Sequence, residues 1–212
     1  MIKYCQYGSG FSNPNQFINF DASPTLRIQK LPILGSILKT RMSTKFPSNI
    51  VYGDIIKGLP IQENSMKGIF CSHVLEHLSL EDLRIALNNT YKKLEVGGVF
   101  RCVLPDLEWC CNEYLNLKKL GDVNAGNMFM DNFTMLGKKR RPKKLTDKIR
   151  SLYGNSEHLW MWDFEGLKSE LENVGFTEIR RAKFNDSLDH NFNFVEEESR
   201  FNNCLAIECK KG

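Results

Sequence analysis

Two hydrophobic rhythms alternate along this chain. Short, almost unbroken apolar runs recur, and between them lie stretches where apolar residues return every three or four positions. The first rhythm belongs to buried strands and the second to one face of a helix. The runs at 2–7 (IKYCQY), 16–24 (QFINFDASP), 49–55 (NIVYGDI), 66–73 (MKGIFCSH) and 97–106 (GGVFRCVLPD) predict five strands. Residues 79–94 predict a helix with Ser79 as N-cap, Glu81-Asp82 in the first turn and lysines near the end. Its expected inner stripe is Leu80, Leu83, Ile85, Leu87, Tyr91 and Leu94, with Gly97-Gly98 as its stop. Two more helices are predicted, over 107–120 and over 163–174, the latter stopped by Gly175. The last strands, 176–184 and 204–211, need no crossover helix and are expected to pair antiparallel.

Strands with both faces apolar, alternating with helices, indicate an α/β fold: a mainly parallel sheet covered on both sides. Ligands of such sheets bind beyond the carboxyl ends of the strands. That rule brings Gly8-Ser9-Gly10, Asp21, Asp54, Ser72-His73 and Pro105-Asp106 to one edge.

Composition changes this picture little. The 212 residues, 42% of them hydrophobic, suit one globular domain spanning 1–212. The net charge of +4 is modest, and much of it lies in one run at 138–144 (KKRRPKK). That run is read as a solvated loop, with phosphates of RNA or of a phosphate-linked glycan as the alternative; no aromatic residue is interleaved for base stacking. Seven cysteines without a C-x-x-C pair argue for a reduced, cytoplasmic protein rather than a disulfide framework. The opening residues lack the apolar core of a signal peptide, and no run approaches the ~20 apolar residues of a transmembrane helix. The stretch 24–39 is read as a flap over the site, with a homodimer contact or an interfacial membrane element as alternatives.

Each residue at the edge has a chemical reading and a plain one. Gly8-Ser9-Gly10 lets a ligand approach the backbone, or is simply a turn. Asp21 accepts from a ribose diol, or forms a turn before Ser23-Pro24. Asp54 accepts from an exocyclic amine, or is a loop residue. Asp106 is favoured as an N-cap over a substrate contact. His158, ahead of Trp160 and Trp162, is a substrate-side candidate beside a packing role.

The segment His73-Val74-Leu75-Glu76-His77 raises a metal question, because H-x-x-E-H is an inverted zincin pattern. A histidine pair four residues apart must share one helix face, yet His73 falls at the predicted strand-to-helix junction. The segment is therefore read as a site wall and a helix start, with no metal. His73 remains either a general base or a wall, and His77 is read as structural.

The stretches YGSG, FINFDASP, GDIIKGLPIQENSMKGIFCSHVLEHL, LEVGGVFRCVLPD and HLWMWDFEGLKSELENVGFTEI resemble successive motifs of class I S-adenosylmethionine-dependent methyltransferases. The likeness is to a small, type 11-like bacterial branch often found near surface-polysaccharide genes. It implies a Rossmann-like, seven-stranded, mainly parallel sheet with an antiparallel C-terminal hairpin and helices on both faces. It also implies S-adenosyl-L-methionine as cofactor. Gly8, Ser9 and Gly10 would then line its methionine portion and Asp21 its ribose. Asp54 and the Ile55 backbone would meet adenine, and Ser72 and His73 would border the cofactor. His158 and Trp160, with Asp106, would face the acceptor, and 107–157 would form a lid or recognition insertion. Three departures stand out. Gln6 replaces an acidic residue, Phe11 rather than another glycine-rich step follows Gly10, and Gly10 lies close to Asp21, which shortens the first crossover. The favoured acceptor is an oxygen or nitrogen of a small molecule or saccharide. RNA methylation through 138–144 and a non-catalytic, protein-binding module are the alternatives.

Overall fold

A computed structural model describes residues 2–31, 45–137 and 157–212. Its frame is a seven-stranded sheet in the order β3-β2-β1-β4-β5-β7-β6. The strands are β1 (Tyr4–Tyr7), β2 (Ile18–Asp21), β3 (Ile50–Tyr52), β4 (Met66–Ser72), β5 (Leu94–Pro105), β6 (Phe176–Arg181) and β7 (Cys204–Lys211). β1 to β5 pair in parallel, while β7 runs antiparallel to both β5 and β6. All seven predicted strands are present, and the late pair is antiparallel as expected. The chain reverses direction across the sheet between β1 and β4, which opens a crevice at their carboxyl ends.

The helices are α1 (Pro24–Gln29), α2 (Leu80–Lys93), α3 (Leu107–Lys119), α4 (Ala125–Met128) and α5 (Phe164–Val174). Ser79, Asp106 and Asp163 cap α2, α3 and α5, each side chain accepting from a backbone N–H of the first turn. Gly175 ends α5 in the left-handed conformation, the role its position predicts. The buried stripe of α2 is Leu83, Ala86, Leu87 and Thr90. Ile85 is exposed, because a 3.6-residue period starting from Leu83 selects position 86 and leaves 85 facing solvent. The Gly97-Gly98 stop is also displaced. α2 ends at Lys93 and β5 begins at once, so the glycines fall in an irregularity of the β4–β5 ladder.

The two faces of the sheet are covered differently. On one, Leu83, Leu87, Leu167 and Leu171 of α2 and α5 pack on Tyr7, Ile69, Phe100 and Ile207. On the other, Phe192 and Val195 press on Phe17, Phe70 and Val103, held by 3₁₀ turns at His190–Phe194 and Glu198–Phe201. Those turns belong to the β6–β7 connection, so the late strands are joined by a cover rather than by a tight hairpin turn. Among the described residues, no helix is long and apolar enough to cross a membrane. All seven cysteines are free. The basic run at 138–144 and residues 32–44 lie outside the described residues, with the readings attached to them.

Candidate active site

Gly8, Ser9 and Gly10 leave β1 in a turn where Gly8 has φ +68° and Gly10 φ +55°. The Gly10 N–H donates to Asp21 Oδ2 at 3.0 Å, and the Ser23 N–H donates to Asp21 Oδ1 at 2.8 Å. The Ser9 N–H donates to the Phe20 carbonyl at 3.0 Å. One carboxylate at the end of β2 therefore holds the turn after β1, and each of its oxygens keeps acceptor capacity. The Ser9 hydroxyl is buried without a hydrogen-bond partner, and the space beside Gly10 is open. A buried polar atom next to open space at a sheet edge fits a polar ligand.

Asp54 follows β3. Its Oδ1 accepts from the Ile56 N–H at 3.0 Å, and Oδ2 lies 3.5 Å from Lys57. Ile55 is buried, and the neighbouring Gly53 N–H donates to the Asp21 carbonyl at 3.1 Å. The ends of β2 and β3 are thus joined beside the glycine turn.

At the end of β4, Ser72 and His73 are engaged from the far side of the sheet. Arg200 donates to Ser72 Oγ at 2.9 Å, while its own carbonyl lies 3.1 Å from His73 Nε2. His73 adopts a left-handed backbone with φ +54°, and its Nδ1 sits 3.3 Å from Glu76 Oε1. Burial lowers the His73 pKa. The Cys204 thiol, the Glu76 carboxylate and the Arg200 carbonyl outweigh it and raise the value to about 10. Both ring nitrogens are occupied, which leaves no free lone pair for taking a proton from an acceptor.

Residues 157–162 close the same edge. The Leu159 and Trp160 N–H groups donate to the Glu76 carbonyl at 2.7 and 3.2 Å, and Leu107 N–H donates to the Trp162 carbonyl. His158 is buried, with Nδ1 2.8 Å from the Thr134 carbonyl and its ring edge-on to His77. Burial lowers the His158 pKa below its ordinary 6.5, so this imidazole is neutral at pH 7. Trp160 is 44% exposed, and its ring is 6.0 Å from that of Trp162. Asp106 caps α3 through Oδ1, and its Oδ2 pairs with Arg181 at 3.4 Å.

The family model described as a methyltransferase domain matches residues 12–102, from just after the glycine turn to near the end of β5. The matched stretch, less than half of the chain, is similar to a methyltransferase domain. Among solved structures, it is similar to one titled a SAM-dependent methyltransferase, "possible histamine N-methyltransferase", from Thermotoga maritima. The identity is 15% and the TM-score 0.51, over 99% of this chain and 82% of that one. PigF, solved with SAH, is similar at 14% identity and TM-score 0.51, over 98% of this chain and half of its own. At these identities the likeness is one of fold. No curated protein matches the sequence.

The departures of the first motif, which precede the matched stretch, have structural counterparts. Gln6 is buried and donates to the Ser12 carbonyl and to Asn19 Oδ1, tying β1 to the turn and to β2. An amide can donate there, whereas a carboxylate could not. Phe11 stacks on Phe46 with ring centroids 4.9 Å apart, half-exposed at the rim. Residues 8–17 form turns and contain no helix. Sequence reasoning missed Arg200 and Glu76. Arg200 carries no local signal, since it meets Ser72 only because the β6–β7 connection folds back over the sheet. Glu76 has a signal in its setting between two histidines, but the same setting marks a helix start.

Proposed function

We propose that the protein methylates an oxygen or nitrogen of a small-molecule or saccharide acceptor, with the cofactor held at the Gly8-Ser9-Gly10 turn. The observation that carries this is the Gly10–Asp21 hydrogen bond at the β1/β4 crevice, beside the unpartnered Ser9 hydroxyl. These residues fit S-adenosylmethionine. Gly8, Ser9 and Gly10 would hold its methionine portion, the remaining acceptor capacity of Asp21 its ribose hydroxyls, and Asp54 with Ile55 its adenine. Bound there, the sulfonium supplies an activated methyl group.

Alignment of donor and acceptor provides most of the rate effect in such a displacement. This suits a site in which His73 is held by Glu76 and Arg200 and serves as a fixed wall rather than a base. The half-exposed indole of Trp160 offers a flat apolar face against which a sugar or heterocycle can rest. Residues 107–137, which reach this edge through Asp106 and through Thr134, form part of the acceptor-recognition element.

Calorimetric titration with S-adenosylhomocysteine tests the reading. The wild type is expected to bind one equivalent, and Asp21→Ala to bind about 10- to 100-fold more weakly, as loss of a charged acceptor predicts. A folded wild type that is silent to both S-adenosylhomocysteine and S-adenosylmethionine would overturn it.

A further inference from the structure

We propose that Glu76, His77 and His158 form a binding site for one divalent transition-metal ion of the zinc class. One ligand atom from each of the three lies within 4.8 Å of the other two. Tetrahedral ligands with bonds of about 2.0–2.1 Å stand roughly 3.3 Å apart, so modest side-chain rotation closes the set around an ion. The tautomers are already suitable. His77 Nδ1 lies 2.9 Å from the Glu157 carbonyl and His158 Nδ1 lies 2.8 Å from the Thr134 carbonyl. A carbonyl only accepts, so in each ring Nδ1 carries the hydrogen and Nε2 presents its lone pair. Histidines that bind metals are oriented in this way by an outer hydrogen bond.

The third ligand is the independent sign of a cation. Glu76 is 1% exposed, and neither carboxylate oxygen has a hydrogen-bond partner. His77 Nε2 is 3.9 Å from Oε1, and His73 contributes an ion pair at 3.3 Å without hydrogen-bond geometry. A buried carboxylate held by the His73 ion pair alone, with no hydrogen bond to either oxygen, is costly, and a dication among the two lone pairs offsets that cost. Two imidazoles with one carboxylate suit zinc or iron(II) rather than magnesium or calcium, which prefer oxygen. The scaffold is firm, because the Leu159 and Trp160 N–H groups clamp the His158 segment to the Glu76 carbonyl. The ligand pair also differs from that of the H-x-x-E-H pattern. His158, distant in sequence, takes the place of His73, whose Nε2 faces Arg200 instead.

The test is titration of chelator-treated protein with cobalt(II), followed by visible absorption, and with zinc(II), followed by calorimetry. Wild type, Glu76→Gln and His158→Gln are compared. One saturating equivalent with nitrogen and oxygen ligation is expected. Each substitution should weaken binding by more than the roughly 100-fold that loss of an outer partner costs. Absence of saturation in the wild type would overturn the site, as would thiolate charge-transfer bands, which would assign the metal to cysteines such as the exposed Cys111. Unchanged affinity in both variants would do the same. If a variant does not fold, X-ray absorption of the zinc-loaded wild type decides: two imidazoles uphold the site, and sulfur or oxygen alone overturns it. None of these readouts depends on cofactor binding.

Discussion

Replacing Arg101 with methionine is expected to lower the free energy of unfolding by about 3–5 kcal/mol, the range for removing one partner of a buried ion pair. Arg101 is fully buried on β5, on the face covered by the β6–β7 connection. Its guanidinium pairs with the buried Glu196 and lies 2.9 Å from Asp186 and 3.0 Å from Glu208, and it donates to the Lys183 carbonyl. Methionine would fill much of the volume but leave Asp186 and Glu208 to Arg180, and the buried Glu196 to the Asn185 N–H. Urea unfolding should show the loss in its midpoint. The double variant Arg101→Met with Glu196→Met should recover part of it, because apolar replacement of a whole buried pair is often neutral. A loss below about 1 kcal/mol, typical of an exposed pair, would contradict this account.

The cluster also sets an acid limit. Desolvation raises the Asp186 pKa, but hydrogen bonds from Arg180 and Arg101 outweigh it and hold the value below the ordinary 3.8. Its contribution to stability is therefore complete above the ordinary carboxylate range. It is lost as pH falls through the lower, folded-state value. In Arg101→Met, acid unfolding should begin at higher pH than in the wild type.

Gly8→Ala should be the more damaging of two glycine substitutions in the turn after β1. A Cβ on Gly8 would lie 2.0 Å from Val74 Cγ2, and its φ of +68° disfavours any L side chain. Overpacking of about 1–3 kcal/mol adds to left-handed strain of about 1–2 kcal/mol. Gly10→Ala meets open space at φ +55° and carries the strain alone. Thermal unfolding should therefore rank wild type above Gly10→Ala and Gly10→Ala above Gly8→Ala. Adding Val74→Ala should restore part of the Gly8→Ala loss by removing the methyl group in the way. S-adenosylhomocysteine affinity should fall with Gly8→Ala, because the displaced turn carries the Gly10 N–H that Asp21 holds. Equal losses for the two single variants would show that Val74 does not confine the turn.

The strands, the caps at Ser79, Asp106 and Asp163 and the Gly175 stop were legible in the sequence, because each depends on residues a few positions apart. The same locality led to two misplacements. Periodicity alone places Ile85 in the buried stripe and Gly97-Gly98 at the helix stop, whereas the facing strands make Ala86 the inner residue and begin β5 at Leu94. The candidate site was legible as a list along one edge, since parallel topology brings strand ends together whatever their neighbours.

What the sequence determined by itself, then, is the alternation of elements and the edge where chemistry collects. Hydrophobic period and capping act over one or two turns of chain. Only the tertiary structure decided how those residues are used. It set Arg200 against Ser72 and His73, buried Arg101 among three carboxylates, and brought His158 to Glu76 and His77. Each of these meetings joins segments far apart in the chain and depends on packing across the sheet, which leaves no periodic trace in the sequence.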